Sequence, residues 1–416
     1  MRRPEAPAHP AACPPKPLRI AQVAAASSHS PWFTNICFEM ARRGFEVVAI
    51  IDASDGDLSA RLEAGRIRHY KVPLYLGRNL DRSRLLLYLI VLPFTIVRIA
   101  TLLRKERIDI AHSHIFVANF VTRLACLLTG TRHVAGIVGP RHLESGVTRA
   151  ADRLTWRADA AIVAGCEHTA SLYRQIGTPD ERITCIYYGS PIDRVHPAAI
   201  DRNAFRRELG ISSDTPLVGL VAHFYPPMRG RQAPPSTRGR SIKGQETFVE
   251  AARIVARHIP DARFVLVGSG FNPLGEQFRQ SLIDSCRADG LIEKIFFPGH
   301  RRDLEQVLVS LDVAVQCPHS ECLGGTVEAL LMERPFVGTN VGGIPEAVHH
   351  EKTGLVVPPG DAAALAASIE RLLTNRGDAQ CFARAGRALM LERFTFSRTA
   401  DDLTALYRRV AAEPSR

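Results

Sequence analysis

The feature that most constrains this chain is an alternation of short apolar runs with helical stretches. It begins at Leu18, where an apolar run precedes a helical stretch over 33–43 and a second apolar run over 45–51. Such alternation is typical of βαβ units around a parallel sheet. The remaining strand candidates of this first half lie at 108–112, 133–138, 159–164 and 182–187. We therefore predict a doubly wound domain over residues 18–198.

The alternation breaks between His196 and Asp214 and then starts again. The second set of strand candidates lies at 216–222, 263–267, 294–297, 311–315 and 335–338. The 416 residues also exceed what one hydrophobic core usually holds. We predict an α/β protein in which two Rossmann-like doubly wound domains face each other across a cleft. The second domain spans 199–385, and C-terminal helices over 386–416 return to the first.

Net charge and cysteine content limit the partners and the cellular compartment that we expect for this chain. A net charge of +11 predicts an anionic partner, which leaves nucleic acid, an acidic lipid surface and a phosphorylated substrate open. Nine cysteines without a Cys-x-x-Cys pair argue against a disulfide framework or zinc ribbon and favour a reducing cytoplasm. Residues 1–17 lack the apolar run of a secretory signal and are expected to form a disordered tail.

A basic segment interrupts the second half at residues 223–243. It holds five basic residues, four prolines and no acidic residue. Because this composition offers little to bury, we predict a mobile loop. Nucleic-acid binding is not expected, because no recognised module surrounds the segment.

An apolar run at residues 85–103 approaches the length of a membrane span. Pro93 and Arg98 interrupt it, which argues against a span. Two alternatives remain open. The run forms either a helix that lies in an anionic membrane interface, as its basic flanks suggest, or a helix that covers the first sheet.

The most specific group of residues for function lies at 319–346. Glu321 ends a loop after a predicted strand, and Gly324 and Gly325 open a helix that carries Glu328. Bare glycine amides at a helix start favour phosphate, because unpaired N–H groups and the positive end of the helix dipole point at the ligand. Glu328 is then close enough to accept hydrogen bonds from a ribose.

This segment resembles the donor motif of glycosyltransferase family 4, which comprises retaining nucleotide-sugar transferases of GT-B fold. The family has two glutamates seven positions apart, as Glu321 and Glu328 are here, and a Gly-Gly-Ile-Pro-Glu turn, which is residues 342–346 here. Other family segments are matched in order by residues 41–47, 108–114, 185–197 and 243–252.

The resemblance implies roles for individual residues. Glu328 would bind the ribose, Glu321 the sugar hydroxyls, and His114 the sugar or acceptor from the facing domain. The donor-binding set would further contain the diphosphate contacts and their neighbours, namely Gly324, Gly325, Thr326, Lys243 and His223. A lysine and helix amides stabilise a departing diphosphate without a metal, so no metal or other cofactor is expected.

This chain departs from the family pattern at two places. The family's arginine after the first strand of the second domain is absent, so His223 or one of the arginines between 229 and 240 would supply that charge. The glycine-rich turn after the first strand is also missing. His29, Arg141 and His142 are candidate acceptor contacts only.

Other chemistries find less support in the sequence. Asp55 and Asp57 match a metal-binding Asp-x-Asp, but their Ser/Gly surroundings favour a turn. The first strand lacks a dinucleotide fingerprint, which argues against a dehydrogenase.

We predict a cytoplasmic retaining glycosyltransferase that is either free or located at the inner face of the cytoplasmic membrane. It would move a sugar from a nucleoside-diphosphate sugar to a hydroxyl of a lipid-linked or saccharide acceptor, in polysaccharide or glycolipid synthesis. A nucleotide-sugar epimerase or hydrolase, or a non-catalytic nucleotide-sugar-binding protein, remains an alternative.

Overall fold

A computed structural model describes residues 16–27, 30–74, 82–230 and 233–413, with the backbone alone for 82–89. The tail predicted over 1–17 lies almost wholly outside these ranges. So does His29, one of the three acceptor candidates.

The first half forms a parallel sheet of seven strands in the order β3-β2-β1-β4-β5-β6-β7. The strands are β1 (Arg19–Ala24), β2 (Glu46–Asp52), β3 (Arg68–Val72), β4 (Ile110–His114), β5 (Arg132–Ile137), β6 (Asp159–Ala164) and β7 (Ile183–Cys185). The sequence prediction missed β3, because this edge strand has a polar sequence in which only Val72 is buried. Alternate residues of β1 enter different cores. Ile20 and Ala24 pack on one face of the sheet, and Ala21 and Val23 on the other.

The second half forms a parallel sheet of six strands in the order β10-β9-β8-β11-β12-β13. They are β8 (Leu217–Val221), β9 (Arg263–Val267), β10 (Ile295–Gly299), β11 (Val313–Gln316), β12 (Phe336–Thr339) and β13 (Leu355–Val357). The prediction missed β13, whose three residues are too few to show a period. The fold class predicted from the alternation is confirmed.

Helices cover both faces of each sheet. They are α1 (Pro31–Arg42), α2 (Leu58–Ala64), α3 (Arg82–Lys105), α4 (Phe116–Thr129), α5 (Arg141–Glu144), α6 (Gly146–Thr155), α7 (Glu167–Gln175), α8 (Asn203–Glu208), α9 (Gln245–His258), α10 (Pro273–Ala288), α11 (Leu304–Ser310), α12 (Thr326–Leu331), α13 (Ile344–Ala347), α14 (Ala362–Thr374), α15 (Arg376–Arg393) and α16 (Phe396–Ala412).

The chain crosses between the two halves twice, and the crossings touch. Ser190 on the outward crossing forms a β-bridge with Thr395 on the return. A Cβ atom at Gly189 would lie 2.2 Å from the carbonyl carbon of Thr395, so only glycine fits there. Helix α15 packs on the second sheet, whereas α16 buries Leu403 and Tyr407 against the first. Within residues 386–416, which were predicted to return to the first domain, α16 does so, whereas the end of α15 stays on the second.

Helix α3 contains the apolar run and has two different faces. Ile99 and Leu103 are buried against the first sheet. Ile90, Phe94 and Val97, one helical turn apart, are 64%, 73% and 58% exposed. The helix therefore covers the sheet and also presents an apolar stripe outwards. In the described part of the chain, no helix combines the length and hydrophobicity that a bilayer crossing requires.

The basic segment at 223–243 is not the mobile loop that its composition predicts. Phe224 and Thr237 are fully buried, and the Phe224 amide donates to the Ser269 carbonyl at 3.0 Å. Met228 and Arg238 form a β-bridge within the described part of the segment. The prediction was wrong because a few buried side chains and backbone hydrogen bonds anchor the segment despite its charge.

Candidate active site

Lys243 and Glu321 form an ion pair at the carboxyl end of the second sheet. The Nζ atom of Lys243 contacts the Oε2 atom of Glu321, and both side chains are less than one-fifth exposed. Burial lowers the pKa of Lys243, but the adjacent Glu321 carboxylate outweighs it, and this pKa lies above its ordinary value. Two residues assigned to the donor site from separate motifs are thus in direct contact.

Two glycines with positive φ lie beside the backbone of Lys243 and of Glu321. Gly244 follows Lys243 with φ of 69°, and a Cβ there would lie 1.9 Å from the Cys317 carbonyl oxygen. Gly342 has φ of 57°, and a Cβ there would lie 1.7 Å from the Glu321 carbonyl oxygen. Only glycine combines this backbone conformation with so close an approach. The Gly-Gly-Ile-Pro-Glu turn thus supports the backbone that carries Glu321.

Gly324, Gly325 and Thr326 form the turn that opens α12. Gly324 also has positive φ, and a Cβ there would lie 2.8 Å from the Glu321 carboxylate. Beneath the turn, the Gln316 side chain donates to the Val221 carbonyl at 2.9 Å and ties β11 to β8. Thr326 is fully buried, and its hydroxyl has no hydrogen-bond partner among the described residues.

Glu328 borders a cavity of about 200 Å³. The cavity is lined by Gly324 and Gly325 of the glycine turn, by Glu328, and by three apolar side chains, namely Val221, Leu304 and Leu308. Burial raises the pKa of Glu328, against hydrogen bonds from its own backbone and from Ser190. A carboxylate at the edge of a small, mostly apolar cavity suits the hydroxyls of a ribose.

The candidates for the second positive charge are His223 and the arginines between 229 and 240, and the structure places His223 and Arg240 in different surroundings. His223 is exposed and stacks on His300, with ring centroids 5.7 Å apart and an angle of 6° between the rings. Arg240 lies by the Glu321 loop. A Cβ at Gly360 would lie 2.5 Å from the Arg240 Nη1 atom and 3.2 Å from His319 Cε1. Burial and then Arg240 lower the pKa of His319 to about 4. Arg240 is thus close to His319, which precedes Glu321 by two residues in the same loop.

His114 ends β4 in the facing domain but is fully buried. Its Nε2 atom lies 2.8 Å from the Gln22 Oε1 atom, and the amide of Gln22 donates to the Tyr407 hydroxyl of α16 at 2.8 Å. Burial lowers the pKa of His114 to about 3, so the ring is neutral near pH 7. Trp32 packs edge-on at 5.0 Å between ring centroids. The sequence prediction of a cleft-facing His114 is therefore corrected, since aromatic side chains cover it.

The residue after His114 has a strained backbone. Ile115 has φ of 72° and is 45% exposed. A β-branched residue rarely adopts this conformation, and such strain is concentrated at functional sites. The sequence carries no signal for it.

The other two acceptor candidates lie on α5. Arg141 is exposed. The His142 ring turns inwards, with its Nε2 atom 2.9 Å from the Asp152 carboxylate, and it stacks on Phe116. An acceptor contact by His142 is therefore not supported, because its polar edge is occupied by a buried carboxylate. Glu144 of the same helix instead accepts a hydrogen bond of 2.7 Å from Ser320, across the cleft.

Glu346, the last residue of the Gly-Gly-Ile-Pro-Glu turn, joins the two domains. Its carboxylate accepts hydrogen bonds from the amides of Glu167 and His168, at 2.9 and 3.0 Å, and from the Tyr187 hydroxyl at 2.9 Å. It therefore satisfies the N-terminus of α7. The motif identified this glutamate, but its partners, more than 150 residues away, could not be deduced from the sequence.

The two aspartates of the Asp-x-Asp sequence lie near the start of α2. Asp57 pairs with Arg61 at 2.9 Å beside α2, and Asp55 is exposed in the bend before that helix. Over the described ranges, no three His, Cys, Asp or Glu side chains are grouped as a metal site.

Comparison with known families covers most of both domains. Residues 237–375 match the family described as "Glycosyl transferases group 1", and residues 31–189 match "Glycosyl transferase 4-like domain". D-inositol 3-phosphate glycosyltransferase from Saccharomonospora viridis is 25% identical over 402 residues, which are 92% of this chain and 89% of that protein. The 2-deoxystreptamine glucosyltransferase of Streptomyces kanamyceticus is 26% identical over 271 residues, with coverage of 64% and 65%.

Solved structures share the whole architecture. Anabaena Alr3699/HepE in complex with UDP and glucose has a TM-score of 0.77 at 20% identity, covering 94% of this chain and 99% of that one. At this identity the likeness establishes the fold. The arrangement of two facing parallel sheets is that of GT-B glycosyltransferases, and the chain belongs to the group 1 glycosyltransferases of the family 4 type.

Proposed function

We propose that this glycosyltransferase moves a sugar from a nucleoside-diphosphate sugar to an acceptor hydroxyl, with retention of the anomeric configuration. The observation that carries the proposal is the convergence of the Lys243–Glu321 pair, the glycine turn at 324–325 and the Glu328 cavity at one sheet edge. The relative of known structure that was solved with UDP and glucose supports the same donor class.

The roles follow from charge and position. When the diphosphate departs, negative charge grows on its oxygen atoms, and the Lys243 ammonium and the amides of the glycine turn stabilise it. Arg240 supplies the second cation. Glu321, which is paired with Lys243 here, turns to the hydroxyls of the sugar when the donor binds. These groups suffice without a metal, so we expect EDTA to leave turnover unchanged.

The acceptor reaches the donor from the first domain. The two relatives are named for transfer to a phosphorylated inositol and to an aminocyclitol, both polar polyols. We propose a saccharide or polyol headgroup, carried on a lipid, as the acceptor here. The exposed stripe of Ile90, Phe94 and Val97 would lie on an anionic membrane, with Arg98 on the same helix adding charge attraction. This would place a cytoplasmic enzyme at the inner face of the membrane.

A transfer assay tests the donor proposal. Purified protein is incubated with single nucleoside-diphosphate sugars, with and without a panel of polyol and lipid-linked acceptors, and the anomeric configuration of the product is read by NMR. The proposal expects transfer that needs an acceptor and retains the configuration. Donor turnover at the same rate without acceptor would indicate a hydrolase or epimerase. Donor binding without any product would indicate a non-catalytic protein.

Vesicle co-sedimentation tests the membrane contact separately. The wild type should bind anionic vesicles at low salt and be released at high salt, since screening weakens the attraction. Phe94→Ser should weaken binding several-fold. The matched control is Leu391→Ser, an apolar residue that is 41% exposed on α15 and should have no effect. Equal effects of the two changes would exclude the α3 stripe as the membrane contact.

A further inference from the structure

Two thiols that the proposed chemistry does not use meet where the two domains touch. Cys166 lies between β6 and α7 of the first domain and is fully buried. Cys322 follows Glu321 in the donor loop of the second and is 6% exposed. Each lies against a glycine from the segment that carries the other, Cys322 against Gly165 and Cys166 against Gly343. We call these two residues the seam thiols.

The backbone on both sides is shaped to this contact. A Cβ at Gly165 would lie 3.0 Å from the Cys322 Sγ atom. A Cβ at Gly343 would lie 2.6 Å from the Cys166 Cβ and 3.2 Å from its Sγ atom. The Gly343 amide in turn donates to the Cys322 carbonyl at 2.7 Å. Each thiol therefore packs on a glycine of the opposite domain, and a larger residue there would push the thiols apart.

The surroundings of Cys166 favour a reactive thiolate. Its Sγ atom lies 3.2 Å from the Thr169 hydroxyl, and it occupies the N-terminus of α7. The neighbouring Cys322 thiol lowers the pKa of Cys166, against the effect of burial. A helix N-terminus stabilises a thiolate in the same way as other anions.

We propose that the seam thiols are a site of reversible disulfide formation, which covalently joins the two domains beside the donor loop. The oxidant is a low-molecular-weight disulfide of the glutathione class. It reaches the thiols when the contact between the domains opens, because neither thiol is accessible while it is closed.

The reaction balances as two thiol–disulfide exchanges. The Cys166 thiolate attacks one sulfur of the small disulfide, forms a mixed disulfide and releases one small thiolate. The Cys322 thiolate then attacks the Cys166 sulfur and releases the second. In total, the two protein thiols lose two electrons and two protons, and the small disulfide is reduced to two thiols.

The bond would restrain the enzyme at its cleft. Cys322 is the next residue after Glu321 in the chain. A disulfide to Cys166 therefore fixes the loop that carries Glu321 on the first domain. A donor that must enter between the domains would then bind slowly or not at all. The cysteines thus connect the redox state of the solution to sugar transfer.

Oxidation of the reduced protein with oxidised glutathione tests the proposal. Peptide mapping of the wild type should show the Cys166 and Cys322 peptides joined, with a mass lower by two hydrogens than the sum of the two. Transfer activity should fall more than tenfold and return with dithiothreitol. The map requires no activity, so it remains decisive if the donor is misassigned.

Three variants separate this bond from general oxidation. Cys166→Ser and Cys322→Ser, each compared with its own activity in the reduced state, should lose the sensitivity of transfer activity to oxidised glutathione. Cys381→Ser removes an exposed thiol on α15 and should keep it. A wild-type map in which Cys381 is modified but the seam thiols remain reduced would overturn the proposal. So would an activity loss that persists in Cys166→Ser.

Discussion

The carboxyl ends of the two sheets are built from different chemistry. That of the second sheet combines a charged pair, Lys243 and Glu321, with glycines that no other residue replaces. That of the first sheet has rings instead: His114 is neutral, buried and covered by Trp32. The difference teaches that paired charge is concentrated at the end of the second sheet, whereas at His114 the end of the first sheet carries an uncharged ring.

The comparison predicts that the largest effect comes from the charged pair. Lys243→Ala removes the cation from the departing diphosphate and should lower turnover by about 10²–10³-fold, with a smaller change in donor affinity. Lys352→Ala, at an exposed position, serves as the control and should leave turnover as it is. Steady-state kinetics separates the two parameters. A loss confined to donor affinity would show that Lys243 acts in binding alone.

The glycine scaffold predicts the next largest effect. Gly342→Ala introduces both strained φ and a collision with the Glu321 carbonyl, and it should destabilise the protein by about 2–4 kcal/mol. Gly130→Ala has the same kind of strain, with φ of 74°, but no atom within 4 Å of its new Cβ. It should cost about 1 kcal/mol. Urea unfolding of both variants measures the difference, and equal losses would refute the need for close packing at Gly342.

The ribose contact predicts a loss of donor affinity. Glu328→Gln should weaken binding of the nucleoside diphosphate by about 1.5–3 kcal/mol, since one charge-assisted hydrogen bond is lost. The control is Glu333→Gln, on the same stretch of chain but outside the cavity. Calorimetry gives both affinities. Unchanged affinity in Glu328→Gln would remove the ribose assignment and leave the Lys243 prediction intact.

The buried histidines predict an effect that is smallest at neutral pH, a pH dependence of stability. The pKa of His114, about 3, and that of His319, about 4, lie below the ordinary 6.5. Between pH 6.5 and 4 the unfolded chain therefore binds more protons than the folded chain. The free energy of unfolding is highest above pH 6.5 and falls as the pH drops towards 4.

Each histidine contributes up to about 1.4 kcal/mol per pH unit within that window. Groups around His114 are His112, Gln22, Trp32 and Tyr188, none of which is acidic. His114→Gln should reduce the slope of the free energy of unfolding against pH by the contribution of one histidine, even if it lowers stability at pH 7. An unchanged slope in urea titrations from pH 4 to 7 would contradict the neutral, buried ring.

Sequence reasoning succeeded where the information is local. The alternation predicted both sheets, and motif spacing predicted the glycine turn with Glu321 and Glu328 on either side of it. It failed where the partner is far away in the chain. The contacts of Glu346 with α7, of His142 with Asp152 and of Cys322 with Gly165 are set by tertiary packing, which no local period encodes. Composition also misjudged the segment at 223–243, because buried side chains such as Phe224 and backbone hydrogen bonds anchor it despite its exposed arginines.

The return of α16 has a consequence for the order in which the protein is made. Tyr407 completes the chain of hydrogen bonds from Gln22 and His112 inside the first domain, and it is synthesised after the strands of both sheets. Domains usually fold from the N-terminus as they leave the ribosome. Here the first domain to emerge is the last to be finished, and a ribosome that stops before residue 396 releases a first sheet with its polar interior incomplete. Folding of the first domain is thus completed only after the second domain has been synthesised.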